Sequence, residues 1–210
     1  MLFKDAFIIS PATFSLIQQL QELPMLQEFY LVGGTALALQ LGHRNSIDID
    51  LFTQNEFENE ALLSILNESY SVQLVFDRKN TIISLINNIK TDFICHKYPF
   101  IKPPISDDGI QMLSKEDITA MKLHAIVQSG KRLKDFIDIY FLLEYFPVAE
   151  MIEFYVTKYS HSNPMIALKA LNYFDEIDED IDPPKLRTPI SLEAIMLRIN
   201  TAIQHPYKTF

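Results

Sequence analysis

Two aspartates in the first half of the chain, Asp48 and Asp50, alternate with apolar residues in the run Ile47 to Phe52. Alternation with a period of two predicts a β-strand with one apolar face, so both carboxylates lie on the other face, about 7 Å apart. Without a cation two such carboxylates repel each other, whereas Mg²⁺ and Mn²⁺ favour carboxylate oxygens as ligands. The pair therefore predicts a metal site, and the plainer alternative is a solvated strand face.

A glycine-rich turn precedes this strand. The apolar residues Phe29 to Val32 predict a buried strand that ends at Gly33 and Gly34, and Thr35 opens a predicted helix that ends near Gly42. A phosphate above residues 33–35 would meet free N–H groups and the positive end of the helix. A metal held beside such a turn predicts phosphoryl or nucleotidyl transfer.

The glycine-rich turn and the strand with Asp48 and Asp50 together resemble the first motif of the DNA polymerase β-like nucleotidyltransferase superfamily. That motif is a hydrophobic-Gly-Gly-Thr run followed, after a dozen residues, by Asp-hydrophobic-Asp-hydrophobic. Residues 33–39 (GGTALAL) and 42–46 (GHRNS) are most similar to the AbiEii/AbiGii toxin branch. The resemblance covers roughly residues 27 to 145.

The resemblance implies further site residues. Asp92, in the alternating run 90–95, would be the third carboxylate and metal ligand beside Asp48 and Asp50. Lys122 lies in a run that resembles the third motif of the family. The run 134–138 resembles the fourth motif and contains Asp135 and Asp138, although Lys134 replaces the usual arginine and lacks its bidentate fork.

Plainer interpretations of the same residues stay open. Asp92 is also consistent with an exposed strand residue, and Lys122 with a surface lysine. Asp135 and Asp138 would form an ordinary set of ion pairs on a helix surface with the basic residues at 131, 132 and 134. His43 and Arg44 either face the nucleotide or are solvated loop residues; Arg44 is the candidate nucleotide contact.

The predicted activity is metal-dependent transfer of an NMP group from an NTP to an acceptor hydroxyl. Asp48 and Asp50 would hold Mg²⁺ or Mn²⁺, and Asp92 would add a ligand or accept the proton of the attacking hydroxyl. The backbone at residues 33–35 and the Thr35 hydroxyl would cradle phosphates. Lys122 would neutralise the triphosphate, positioned by Asp135 or Asp138.

The AbiEii resemblance implies a toxin of a toxin–antitoxin or phage-defence system. Its acceptor would be RNA, specifically tRNA, and its partner an antitoxin protein. Two alternatives stay open: an antibiotic nucleotidyltransferase of the aminoglycoside type, and a noncatalytic nucleotide-binding module.

The pattern of elements predicts an α/β (α+β) fold, in which a nucleotidyltransferase core with a mixed sheet flanked by helices (residues 1–105) precedes an all-α lobe (residues 106–210). The site would lie between the lobes. Residues 102–109 break all periodicity and predict a linker or a loop that crosses between the lobes, and the acidic run 175–184 predicts a solvated loop or an antitoxin-docking strip. Strands are predicted near 28–32, 47–52, 72–76, 81–86 and 91–95, and helices near 11–23, 34–41, 56–68, 115–129, 133–145, 148–159, 163–173 and 191–204.

Composition narrows the class of protein. The net charge of −9 over 210 residues argues against a protein that coats nucleic acid nonspecifically, because such binding depends on clustered basic residues. The single cysteine, Cys95, cannot form an internal disulfide, and no apolar run is long enough to span a membrane. We therefore expect a cytoplasmic enzyme without a membrane partner.

Overall fold

The computed structural model describes residues 1–181 and 183–210. It divides into two compact units. Residues 1–99 and 104–113 form one, here called the sheet unit, and residues 100–103 and 114–210 form the other, the helical unit. The prediction that residues 1–105 and 106–210 act as separate domains, with the site between them, stays a prediction.

The sheet unit contains, within the described residues, a seven-stranded mixed sheet with the strand order β3-β4-β5-β2-β1-β7-β6. The strands are β1 (Tyr30–Leu31), β2 (Ile49–Thr53), β3 (Val72–Arg78), β4 (Thr81–Ile86), β5 (Ile89–Cys95), β6 (Ile105–Asp107) and β7 (Ile110–Met112). The helices of this unit are α1 (Pro11–Glu22), α2 (Gly33–Leu41) and α3 (Asn59–Ser69). The predicted α/β class is confirmed.

The register of the central strands decides which residues share a face. Strand β2 pairs in parallel with β5, and Ile49 lies opposite Thr91 while Asp50 lies opposite Asp92. Ile49 and Thr91 have no exposed surface. Because side chains alternate across a strand, Asp50 and Asp92 point to the other face of the sheet. The apolar face thus fixes where the carboxylates stand, since a slip of one residue would bury them.

The prediction of an aperiodic linker or crossing loop at residues 102–109 is wrong for the second half of this segment. Residues 105–112 form the hairpin β6–β7, and β7 joins the sheet by pairing in parallel with β1. Asp108 and Gly109 form its two-residue turn, with φ of 51° and 74°. An Asp-Gly pair with positive φ at both positions is a strong signal of a tight hairpin, and it lies inside the segment that was interpreted as aperiodic.

The helical unit has no strand among its described residues. Its helices are α4 (Lys115–Gln128), α5 (Leu133–Leu142), α6 (Val148–Lys158), α7 (Pro164–Leu171) and α8 (Leu192–Gln204). The described part of the acidic run, 175–181 and 183–184, contains turns and one isolated bridge, as predicted for a loop, and Asp182 lies outside the described residues. In the described chain no helix is both long and apolar enough to cross a membrane.

A buried aspartate organises the start of α4. Ser114 caps the helix by accepting from the Asp117 N–H at 3.1 Å, and its hydroxyl donates to Asp117 at 2.8 Å. The Asp117 carboxylate also accepts from the N–H groups of Ile101 and Lys102, at 3.0 and 3.1 Å. Lys158 on α6 completes the cluster with a 2.8 Å ion pair in which both side chains are fully buried. The opposite charges of Lys158 and Asp117 therefore compensate each other in a region that is closed to water.

Candidate active site

Three carboxylates lie around the start of β2 and the middle of β5. Asp50 and Asp92 are direct neighbours on the parallel strands. Asp48 stands just before β2, which begins at Ile49 and not at residue 47 as predicted. Asp48 and Asp50 are partly exposed, whereas the Asp92 side chain is 10% exposed. The sheet therefore brings together the three aspartates that the sequence predicts as metal ligands.

A lysine that sequence reasoning missed belongs to the same cluster. Lys90 precedes Asp92 by two residues on β5, so both side chains lie on one face, and its ammonium nitrogen is 3.0 Å from Asp92 Oδ2. Burial lowers the pKa of Lys90, but the hydrogen bond to Asp92 and the negative charges of Asp92, Asp48 and Asp50 outweigh it and raise the pKa above its ordinary value. Lys90 thus experiences the charge of all three carboxylates.

Asp92 lies in an environment that alters its pKa. Burial raises its pKa, the Lys90 ammonium lowers it, and the charge of Asp48 raises it again, which leaves the pKa above its usual range. Its second oxygen, Oδ1, is buried and has no hydrogen-bond partner in the structure. A buried carboxylate oxygen without a donor is costly unless a cation or a proton can reach it.

The donor set fits a hard divalent cation in its chemistry, because it consists of carboxylate oxygens with one oxygen still unsatisfied. It does not form a finished metal cage. In the part of the chain that the structure describes, no three His, Cys, Asp or Glu side chains converge closely enough to hold a metal ion. The assignment of Asp48, Asp50 and Asp92 as metal ligands therefore stays a prediction.

The glycine turn lies directly against one of these carboxylates. Helix α2 begins at Gly33, two residues earlier than the predicted start at Thr35, and its N-cap, Val32, provides no side-chain cap. Gly33 has φ of +67°, and a Cβ there would lie 3.2 Å from Asp50 Cγ and still closer to Oδ2. The Val32 N–H donates to the Asp50 carbonyl oxygen at 2.9 Å. Only glycine fits here, and the uncapped first turn sits next to Asp50.

The second glycine lies against a buried arginine. A Cβ on Gly34 would approach the Arg44 guanidinium, with Cζ at 3.3 Å. His43 and Arg44 are only 4% and 3% exposed, so their interpretation as solvated loop residues is wrong. The Arg44 Nη1 donates to the Asn45 carbonyl oxygen at 2.9 Å. A positively charged group thus stands beside the first turn of α2.

Thr35 connects the turn to the aspartates. Its side chain is 1% exposed, and its hydroxyl lies 2.7 Å from the Ser46 hydroxyl and hydrogen-bonds to the Asp48 carbonyl oxygen. The hydroxyl is therefore engaged inside the protein. We assign Thr35 the positioning of Asp48, and its predicted hydroxyl contact with a phosphate stays a prediction.

The helical unit holds the remaining predicted residues in one buried cluster. The Lys122 ammonium nitrogen is 2.7 Å from Asp135 Oδ1 and 2.7 Å from Asp138 Oδ2. The side chains of Lys122, Asp135 and Asp138 are 6%, 5% and 0% exposed, so the interpretations as a surface lysine and as surface ion pairs are wrong. Arg132 adds a longer contact of 3.6 Å to Asp135. The two aspartates hold Lys122 between them.

Comparison with known proteins identifies the family. The model of the family described as "Nucleotidyl transferase AbiEii toxin, Type IV TA system" matches residues 15–203. An uncharacterised protein of Aquifex aeolicus is 33% identical over 177 residues, which are 80% of this chain and 85% of that protein.

Solved structures share the fold at low sequence identity. The nucleotidyltransferase toxin MenT4 of Mycobacterium tuberculosis superposes with a TM-score of 0.62 at 13% identity, over 92% of this chain and 82% of that one. A Helicobacter pylori protein assigned as a nucleotidyltransferase gives a TM-score of 0.59 at 16% identity, over 92% and 91% of the two chains. At these identities the likeness shows the shared fold.

Proposed function

Because the chain belongs to the AbiEii nucleotidyltransferase toxin family, and is therefore a nucleotidyltransferase, we propose that it moves an NMP group from an NTP to an acceptor hydroxyl at Asp48, Asp50 and Asp92. The observation that carries this site is the contact between the glycine turn and the carboxylates. Gly33 has no room for a Cβ because Asp50 stands against it. A phosphate bound at the turn would thus be adjacent to the carboxylates.

Each residue of the sheet unit has a separate task in this proposal. The N–H groups at the start of α2 would bind phosphate oxygens, and the buried Arg44 would add positive charge beside Gly34. Asp92, whose pKa is raised, would accept the proton of the acceptor hydroxyl. Asp48 and Asp50 would hold Mg²⁺ or Mn²⁺, which when bound would neutralise the triphosphate and lower the pKa of the hydroxyl.

The Lys122 cluster supports the proposal less directly. Two carboxylates already compensate the Lys122 ammonium, so Lys122 does not present an uncompensated positive charge. Asp135 and Asp138 fix the position of Lys122, as the family motif implies. Contact between Lys122 and the triphosphate stays part of the proposal.

We expect Gly34→Val to weaken NTP binding by at least about tenfold. A branched side chain at this position would displace the Arg44 guanidinium from its place beside the turn. Titration with a fluorescent NTP analogue measures the change. Gly109→Ala is the control for a Cβ added to a glycine of the sheet unit away from the turn, because that Cβ meets only Gln18 Nε2, at 3.6 Å, although Gly109 has a positive φ and Gly34 does not. Unchanged affinity in Gly34→Val, or equal loss in both variants, contradicts a phosphate site at the turn.

We further propose that the acceptor is RNA, with tRNA as the first candidate, and that an antitoxin restrains the enzyme. The family description names a toxin–antitoxin system, and MenT4 is described as a toxin. The exposed basic residues Lys131 and Arg132, ahead of α5, would contact the phosphate backbone of a nucleic acid. ATP, GTP, CTP, UTP and tRNA all occur in the cytoplasm, where we place the reaction.

The experiment incubates the purified protein with Mg²⁺, each labelled NTP in turn and total tRNA, beside the Asp48→Ala variant. Label on RNA from the intact protein alone supports tRNA nucleotidyl transfer. Label on an aminoglycoside but not on RNA would replace the RNA acceptor by an antibiotic. NTP binding without transfer to RNA, protein or antibiotic would favour a noncatalytic module and overturn the proposed reaction.

A further inference from the structure

The face of β5 that carries Asp92 also carries a positively charged side chain, Lys90. Lys90 and Asp92 are two residues apart on this strand, and Asp92 lies opposite Asp50 on β2. The residue that precedes Ile49 is Asp48, and the residue that precedes its partner Thr91 is Lys90. Continuing the parallel register by one position thus sets Lys90 beside Asp48. Three carboxylates and one ammonium occupy four neighbouring positions on one face of the sheet.

Lys90 contacts only one of the two oxygens of Asp92. Its ammonium takes Oδ2 at 3.0 Å, while Oδ1 stays buried without a hydrogen-bond partner. The Lys90 side chain is 45% exposed and the Asp92 side chain 10%. The lysine therefore approaches from the solvent side on a long flexible stem, and it can leave without disturbing the buried carboxylate.

We propose that Lys90 is a built-in counter-ion that compensates the three carboxylates and is displaced from Asp92 when a divalent cation binds. The proposal rests on the proposed function, because it assumes that these aspartates hold a metal. An ammonium on Oδ2 and a divalent cation on Oδ1 of the same carboxylate would repel each other. The ammonium therefore competes with the metal, and Lys90 sets how tightly the site binds it.

The test is Mn²⁺ binding to the full chain without nucleotide, at fixed pH and ionic strength, read from the electron paramagnetic resonance signal of free Mn²⁺. Lys90→Met keeps the length of the side chain and removes its charge. We expect Mn²⁺ to bind this variant about three- to tenfold more tightly than the wild type, in keeping with the modest strength of partly exposed ion pairs. Lys90→Arg restores the charge and is expected to return the affinity to within about twofold of the wild type.

Lys97→Met is the matched control. Lys97 lies two residues after the end of β5 and, like Lys90, pairs with a carboxylate. Its partner is Glu56, which is not a proposed metal ligand. We expect this variant to bind Mn²⁺ like the wild type. Circular dichroism confirms that each variant folds, and Lys90→Gln replaces Lys90→Met if that variant does not.

The outcomes separate the two proposals. If the wild type binds Mn²⁺, Asp48→Ala does not, and Lys90→Met binds with unchanged or weaker affinity, the counter-ion is overturned while the metal site stands. Equal tightening in Lys90→Met and Lys97→Met also overturns it, because the effect is then one of net charge. If the wild type binds no Mn²⁺ at millimolar concentration, the metal site and the counter-ion both fail.

Discussion

Replacing Asp50 with asparagine is expected to lower nucleotidyl transfer by at least about three orders of magnitude while the protein still folds. Asn has the size of Asp but lacks the negative charge that a divalent cation needs, and Asp50 stands both against Gly33 and opposite Asp92. Loss of one carboxylate also relieves repulsion among the three. The variant should therefore be as stable as the wild type, or slightly more stable, when no metal is bound.

Initial rates of label transfer with saturating Mg²⁺ and NTP measure this effect, and thermal unfolding without metal measures the stability. Asp77→Asn provides the control, because Asp77 lies on β3 at the edge of the same sheet and its carboxylate is exposed and bonded to Asn59. It should transfer at the wild-type rate. Retention of more than about a tenth of the activity in Asp50→Asn would move the reaction away from this carboxylate, and unfolding of the variant would count against a metal role.

Asp117→Ala is expected to destabilise the helical unit by about 3–5 kcal/mol, a large part of the stability of a typical domain. The substitution leaves the fully buried Lys158 ammonium without its carboxylate and removes the acceptor of the Ile101 and Lys102 N–H groups. It also removes the hydrogen bond from the Ser114 hydroxyl. Urea unfolding followed by circular dichroism measures the loss.

Two further variants test whether the buried charge is the cause. In the double variant Asp117→Ala with Lys158→Met no unpaired charge is buried, so part of the lost stability should return. Glu144→Gln breaks an ion pair with Arg198 whose side chains are 45% and 24% exposed, and should cost less than about 1 kcal/mol. A double variant that is less stable than Asp117→Ala alone would show that Lys158 stabilises the unit by packing and not by pairing with Asp117.

The sequence was sufficient where the decisive interactions are local. Alternation around Asp50 predicts its strand and its face, and the start of α4 follows from Ser114 and Asp117, which the structure joins at 3.1 Å. Gly42 ends α2 with φ of 68°, as a left-handed C-cap does. In each case residues within one or two turns of each other decide the outcome.

What the local pattern leaves open depends on partners that are distant along the chain. Lys122 looks like a surface lysine until α5 places two carboxylates against it. The charge environment of Lys90 comes first from Asp92 on its own strand, and Asp48 and Asp50, about forty residues earlier in the chain, add to it. The pairing of Lys158 with Asp117 spans 41 residues and leaves no local pattern at either position. Sequence periodicity shows which face a residue takes but not what will stand opposite.

A hydrogen bond joins the Thr35 hydroxyl to the Asp48 carbonyl oxygen, and it affects what a substitution at residue 48 would change. The bond uses the backbone of residue 48, so it persists whichever side chain that residue carries. Thr35 therefore holds the backbone of residue 48 in place, and the side chain of residue 48 determines the charge at this position. A substitution at 48 therefore changes the charge while the anchor of the loop is retained.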